Sequence, residues 1–208
     1  MSSLTKYSGK LVEITYDRVR CIHARECVHG LPSVFDPEGR PWIHPDEVGP
    51  DEIADVVSRC PTGALKCRIG GVDAEREAAG NSVIVGENGP LYFRGDVVIQ
   101  EPDGTERKEP RVALCRCGAS AHKPFCDGSH VEAEFSAPGV VHGVSIGAAP
   151  RGPLVVTVRK NGPLLVQGSY VLHAGEPSER AGGALCRCGK SGNKPFCDGT
   201  HKKVGFEG

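Results

Sequence analysis

One pattern of sixteen residues occurs twice, and it constrains the chain more than anything else in it. Cys115-Arg-Cys117-Gly-x-Ser120-x3-Pro124-Phe125-Cys126-Asp127-Gly128-Ser129-His130 returns as Cys186-Arg-Cys188-Gly-x-Ser191-x3-Pro195-Phe196-Cys197-Asp198-Gly199-Thr200-His201, every Cys and His displaced by the same 71 residues. Repetition at a fixed offset fixes the architecture before any local reading does. The similarity extends upstream, where Asn88-Gly89-Pro90-Leu91 and Gly95 match Asn161-Gly162-Pro163-Leu164 and Gly168 at an offset of 73. The unit is therefore a module of about fifty residues, strands first and the cysteine loop after.

Short β-branched or apolar runs punctuated by Gly, Pro and Asn predict strands at Val83–Val85, Leu91–Phe93 and Val97–Ile99, and again at Leu154–Val158, Leu164–Val166 and Tyr170–Leu172. Glu101–Pro110 and Ala174–Gly183 read as polar turns. The expected division is a first domain over residues 1–70, a linker over 71–81, a first module over 82–132, a linker over 133–150 and a second module over 151–208.

Composition agrees with small modules. There are 28 Gly and 16 Pro against one Trp, one Met and six Phe, so large core-forming side chains are scarce. Small domains of this kind need staples, and metal clusters supply them. The ten cysteines stand in a chain whose opening, MSSLTKYSGKLVEITYD, has no apolar signal region. In a reducing compartment clustered cysteines are metal ligands before they are disulfides. No run approaches the roughly 18–20 apolar residues that span a bilayer. The formal charge of −1 gives no field for nucleic acid or an acidic membrane. The expectation is a cytoplasmic monomer that binds neither.

The repeated ligand pattern is C-x-C-x8-C-x3-H. One intervening residue lets both thiolates of the first pair reach one metal. Cys126 and His130, at i and i+4, share a face if a helical turn starts at Asp127-Gly128. Gly128 and Gly199 permit positive φ and close backbone approach to inorganic sulfide. Pro124 and Pro195 stiffen the loop ahead of the third cysteine. The competing chemistry is zinc on three Cys and one His, although structural zinc usually takes C-x2–4-C knuckles. Arg116 and Arg187, between paired ligands, are placed to offset cluster charge; Lys123 and Lys194 are ordinary solvated lysines or attract an acidic partner.

These residues resemble the CDGSH iron–sulfur (NEET) family, whose pentapeptide stands here as Cys126-Asp-Gly-Ser-His130, with Thr for Ser in the second copy. The resemblance implies a 2Fe-2S cluster on three Cys and one His in each copy. Cys115 and Cys117 would bind the inner iron and Cys126 and His130 the outer one, with Cys186, Cys188, Cys197 and His201 repeating the set. It also implies that the tandem copies imitate a homodimer as a pseudo-twofold pair. One imidazole in place of a thiolate raises the cluster's reduction potential, and its protonation would loosen the cluster in acid.

In the first seventy residues, Cys21-x5-Cys27 is followed by Cys60-Pro61. Laid on the bacterial C-x2-C-x2-C run with its distant Cys-Pro, the middle position holds Ala24. Leu11–Tyr16 alternates like a strand, Asp51–Arg59 carries Ile53, Val56 and Val57 at helical spacing, and Ala64–Ile69 reads as a final strand. The order resembles divergent single-cluster ferredoxins. Three thiolates from Cys21, Cys27 and Cys60 suit 3Fe-4S, while 4Fe-4S would need His23, Glu26 or Cys67 as well. Cys67 reads better as a buried hydrophobe on a strand.

The expected fold is thus α+β, a small ferredoxin-like domain followed by two β-rich modules. No Walker loop, nucleophile elbow or dinucleotide fingerprint is present in the sequence. The expected function is electron transfer between a reductase and an acceptor protein rather than catalysis. Cluster storage or delivery and redox or pH sensing are the alternatives.

Overall fold

Apolar and polar residues alternate in β2 (Val12–Asp17), which turns Val12 and Ile14 into a core and leaves Glu13 and Thr15 half-covered. The computed structural model describes residues 4–140 and 149–208. They fall into two units, Met1–Glu77 and Ala78–Gly208.

In the first unit, β1 (Leu4–Ser8), β2, β3 (Leu65–Ile69) and β4 (Val72–Asp73) form an antiparallel sheet in that order. Helix α1 (Glu26–Gly30) sits inside the predicted cluster loop. Helix α2 (Pro50–Ser58) opens on Pro50, with Asp51 and Glu52 in its first turn, both suited to a helix N-terminus. It buries Ile53, Ala54, Val56 and Val57 against the sheet. The chain leaves α2 at Cys60-Pro61, where a residue before proline disfavours helix. Strand β4 shows that the predicted linker begins as sheet.

The second unit is one six-stranded sheet in the order β10-β9-β5-β6-β7, with β8 pairing β6 and β9. Its strands are β5 (Ser82–Val85), β6 (Leu91–Gln100), β7 (Glu106–Leu114), β8 (Leu154–Val158), β9 (Leu164–His173) and β10 (Ser178–Leu185). The copies are not separate sheets: β5 of the first runs parallel to β9 of the second, and β8 of the second runs parallel to β6 of the first. One core joins them, with Val83, Phe93 and Leu114 packed with Leu154, Val166 and Leu185.

Two expectations are corrected here. The paired short strands at 91–93 and 97–99 are one strand, β6, whose pairing with β7 slips between Arg94 and Val97. Ahead of the slip β6 pairs with β5, and beyond it with β8, so the bulge hands the strand from one partner to the next. Strand β9 likewise merges 164–166 with 170–172. The predicted polar turns 101–110 and 174–183 also contain the starts of β7 and β10. Both lie at the ends of the sheet order, where exposed charged side chains are tolerated because only one backbone edge needs a partner.

Of the linker expected over 133–150, residues 141–148 lie outside the described residues. Its start belongs to the first copy. The Val140 N–H donates to the Val85 carbonyl at 2.8 Å, and the Ala137 N–H donates to the Asn88 side-chain oxygen at 2.9 Å. Three short helices account for all helix among the described residues, and none is long and apolar enough to cross a membrane.

Candidate metal centres

Each repeated loop grows from the end of a strand and folds back onto it. The Cys115 N–H donates to the Pro124 carbonyl at 2.8 Å, and the Cys126 N–H donates to the Ala113 carbonyl at 2.9 Å. Cys186 to Pro195 and Cys197 to Ala184 repeat these bonds at 2.8 and 2.9 Å. Phe125 and Phe196, both partly buried, pack against the sheet core. The third ligand position is thereby anchored beside the first.

A hydroxyl and a carboxylate brace the loop. Ser120 Oγ donates to the Phe125 carbonyl at 2.7 Å and accepts from the His122 N–H at 3.0 Å. Ser191 does the same with Phe196 and Asn193. Asp127 accepts from the backbone of Ala121 and Ser129, and Asp198 from Gly192 and Thr200. Burial alone would raise the Asp127 carboxyl, but the bonds from Ser129, Ala121 and Ser120 hold it below the usual carboxylate range. Asp198 is held low by its Thr200 and Gly192 bonds. The helical turn starts later than expected, at Thr200 in the second copy (α3, Thr200–Lys203), while the first copy keeps a turn through Ser129–Glu134. Gly128 and Gly199 have φ of 91° and 85°, and a Cβ there would meet nothing within 4 Å.

The eight predicted ligands meet as pairs. Cys115 and Cys117 sulfurs are 3.7 Å apart, as are those of Cys186 and Cys188. Cys126 Sγ lies 3.4 Å from His130 Nδ1, and Cys197 Sγ 3.3 Å from His201 Nδ1. Among the described residues no three His, Cys, Asp or Glu are spaced to hold one metal ion. The Cys115 thiol is pulled down to about 6, first by its contact with Cys117 and then, against burial, by backbone N–H groups of Ser120, Gly118 and Cys117. Burial pushes the Cys126 thiol up to about 12, with the charges of Cys115 and Asp127 adding to it. Burial also lowers the His130 imidazole, against the Asp127 charge. Lys123 and Lys194 are not free solvated lysines: each donates to its own loop, at Ser120 O and Ser191 O, both at 2.7 Å.

Phe135 and Phe206, which the sequence reading passed over, stand at the repeat offset of 71. Each N–H closes onto the preceding histidine carbonyl, His130 or His201, and each ring covers an arginine, Arg116 at 5.2 Å and Arg187 at 5.1 Å. The constant spacing was the available signal.

In the first unit, Tyr16, Cys21, Ala24, Glu26, Cys27 and Cys60 line one apolar cavity, together with Trp42. Burial, then the charge of Cys60, pushes the Cys27 thiol up to about 11, and Cys21 adds to it. Burial raises the Tyr16 hydroxyl, and its bond to Cys21 raises it further. Cys67 is outside this cavity, buried on β3 among Val12 and Ile14. His23 lines a more open groove of about 570 Å³ on the same side. Arg20 donates to the Thr62 carbonyl at 2.6 Å, tying the loop to the Cys60 turn.

Comparison with known proteins matches these features. A family model described as iron-binding zinc finger CDGSH type fits residues 88–131 and 161–202, and one described as divergent 4Fe-4S mono-cluster fits residues 7–69. Uncharacterized protein YjdI of Escherichia coli K12 is 37% identical over 62 residues, covering 30% of this chain and 82% of its own; the O157:H7 protein matches identically. Residues 88–131 and 161–202 are two copies of the CDGSH iron-binding domain. A divergent 4Fe-4S mono-cluster domain precedes them, so iron–sulfur binding domains make up most of the chain. No solved structure matches it.

Proposed function

We propose that the chain is a multi-cluster electron-transfer protein. It would carry one 2Fe-2S cluster on Cys115, Cys117, Cys126 and His130, another on Cys186, Cys188, Cys197 and His201, and a third on Cys21, Cys27 and Cys60. The paired spacing of the ligands carries this reading. Two thiolates about 2.3 Å from one tetrahedral metal stand about 3.8 Å apart, and a thiolate and an imidazole about 3.5 Å apart. The sulfur pairs at 3.7 Å and the sulfur–nitrogen pairs at 3.4 and 3.3 Å match those values, one metal to each pair. Two metals per loop, with soft thiolate donors and open space beside Gly128 and Gly199, fit 2Fe-2S better than a lone zinc.

Such a cluster supplies one-electron chemistry, and the chain's residues tune it. The Ala119 N–H reaches Cys117 Sγ and the Gly199 N–H reaches Cys197 Sγ, both at 3.4 Å. Bonds of that kind stabilise the reduced state and raise the potential. Cys115 and Cys186 are buried, while His130 and His201 are partly exposed, so the imidazole side faces a partner. The strand exchange between copies supports a pseudo-twofold arrangement. In the first unit, the burial of Cys67 in the core leaves three thiolates for 3Fe-4S, or His23 or Glu26 as the fourth donor of a 4Fe-4S cluster. The partners are a reductase and an acceptor protein.

Iron and sulfide quantitation with low-temperature EPR on anaerobically purified protein tests the reading. The expected content is about seven irons per chain, or about eight with a four-iron third cluster. A ferredoxin reductase should reduce the protein, and reoxidation should release no iron. A colourless protein holding zinc would sink the cluster assignment, and iron passing to an apo-acceptor on mixing would make it a delivery protein instead.

A further inference from the structure

The cavity lined by Cys21, Cys27 and Cys60 has a more open neighbour, the groove of about 570 Å³. Tyr16, Cys21, Arg25, Cys27 and Trp42 line both spaces, whereas Cys60 lines the cavity alone. One layer of side chains therefore separates a cluster on these cysteines from whatever enters the groove. Aromatic contacts stiffen that layer: Trp42 meets Tyr16 edge-on at 4.9 Å and Tyr7 at 6.4 Å.

Two loops charge the groove. Arg25 comes from the cysteine loop and Arg40 from the turn before Trp42, both exposed, and exposed His23 lines it as well. Glu38 is the one carboxylate among its lining residues. Arg40 Nη1 donates to the Pro37 and Gly39 carbonyls at 3.1 and 2.6 Å, which pins the guanidinium to its own turn. Among the described residues neither Arg25 nor Arg40 is ion-paired, whereas Arg59 and Arg76 of the same unit pair with Asp55 and Asp51. Asp46, Glu47, Asp51, Glu52 and Asp55, the acidic residues on α2 and its approach, all stay off the groove. His23 and Arg25 also hold φ of 55° and 63°, a left-handed conformation that non-glycine residues rarely adopt. Strain of that kind persists where the surrounding fold enforces it, and it gathers at functional sites.

We propose that this groove is the docking site of the protein that exchanges electrons with the third cluster, and that this partner presents a run of carboxylates to Arg25 and Arg40. A guanidinium keeps its charge at any physiological pH and grips carboxylates through a planar fork of N–H donors. Two of them, on separate loops around a groove of this volume, suit a stretch of several side chains rather than a lone anion. Complementary charge of this kind speeds encounter and fixes orientation, and salt weakens it. Tyr16 and Trp42 supply the apolar centre inside that charged rim. The inference rests on the third cluster proposed above.

Trp42 is the chain's only tryptophan, so its fluorescence reports on the groove directly. The full chain, titrated with an oligo-glutamate peptide at low salt, should show a saturable change that added salt weakens. Arg40→Glu should weaken that binding by about tenfold, and Arg25→Glu should do the same. Arg40→Lys, which keeps the charge, should bind nearly as well as the native chain. Arg59→Glu and Arg76→Glu, charge reversals of equal size off the groove, should leave binding unchanged. Saturating peptide should also slow reduction of the third cluster by a ferredoxin reductase, because it fills the approach to Cys21 and Cys27. Arg25 lies between two ligands, so Arg40→Glu decides alone if Arg25→Glu loses iron. Equal weakening by Arg59→Glu, reduction that the peptide does not slow, or tighter binding of a single-stranded DNA oligonucleotide overturns the proposal. Reversals that only move the third cluster's potential overturn it too, since the arginines would then balance cluster charge and nothing more. Peptide binding with no iron on Cys21, Cys27 and Cys60 overturns the third cluster, whereas a chain that carries the cluster and ignores the peptide overturns the docking alone.

Discussion

Single positions decide what the sites hold. Ala24 lines the same cavity as Cys21, Cys27 and Cys60, at the place where a bacterial cluster loop carries its middle cysteine. Ala24→Cys should therefore raise iron content from about seven to about eight per chain and abolish the EPR signal of an oxidised three-iron cluster. If the extra thiol changes neither, the third cluster already has a fourth donor. His173 poses a different residue-scale question. It is 3% exposed on β9, and among the described residues neither ring nitrogen has a hydrogen-bond partner. Burial lowers its pKa below the ordinary histidine value, so the unfolded chain takes up the proton more readily. Stability contributed by neutral His173 is present above about pH 6.5 and is lost as pH falls below it. His173→Phe should flatten that part of the pH dependence in urea unfolding; an unchanged slope would show that His173 is not its source.

At the scale of elements, the inner-ligand loops add a close contact between copies to the pairing of their strands. Gly189→Ala places a methyl against the Cys117 carbonyl at a backbone φ of 75°. The backbone conformation alone costs roughly 1–3 kcal/mol, and the collision adds to it. A lowered urea midpoint, with altered spectra from both CDGSH sites, is the expected result. Strands β7 and β10 lead into the first candidate ligand of each loop, and the starts of both were hidden in the sequence. Glu106-Arg-Lys-Glu and Ser178-Glu-Arg look like turns because an edge strand can leave its side chains in solvent.

On the scale of the whole chain, each set of ligands lies within one unit, Cys21, Cys27 and Cys60 in Met1–Glu77 and the rest in Ala78–Gly208. Cys60→Ser in the full chain should remove about three or four irons and leave both 2Fe-2S EPR signals intact. Loss of those signals along with the third cluster would mean that the units do not hold their iron separately. Within the second unit no such separation is expected, because β5 and β8 are each paired into the other copy's strands.

The ligand candidates, their pairing in tandem copies and the helix before Cys60-Pro61 were all legible in the sequence. Spacing along a chain is preserved whatever the fold does with it, so a duplicated pattern of Cys and His marks its candidate ligands directly. The tertiary structure alone decided that the copies share one sheet, that β6 and β9 change partners at a bulge, and that Phe135 and Phe206 close over Arg116 and Arg187. Those contacts join residues far apart in sequence, and no local propensity encodes which distant strand will satisfy an open edge. Nor could composition say that Arg116 and Arg187 would be buried on backbone carbonyls. That follows from packing, which decides which distant carbonyls a buried donor meets.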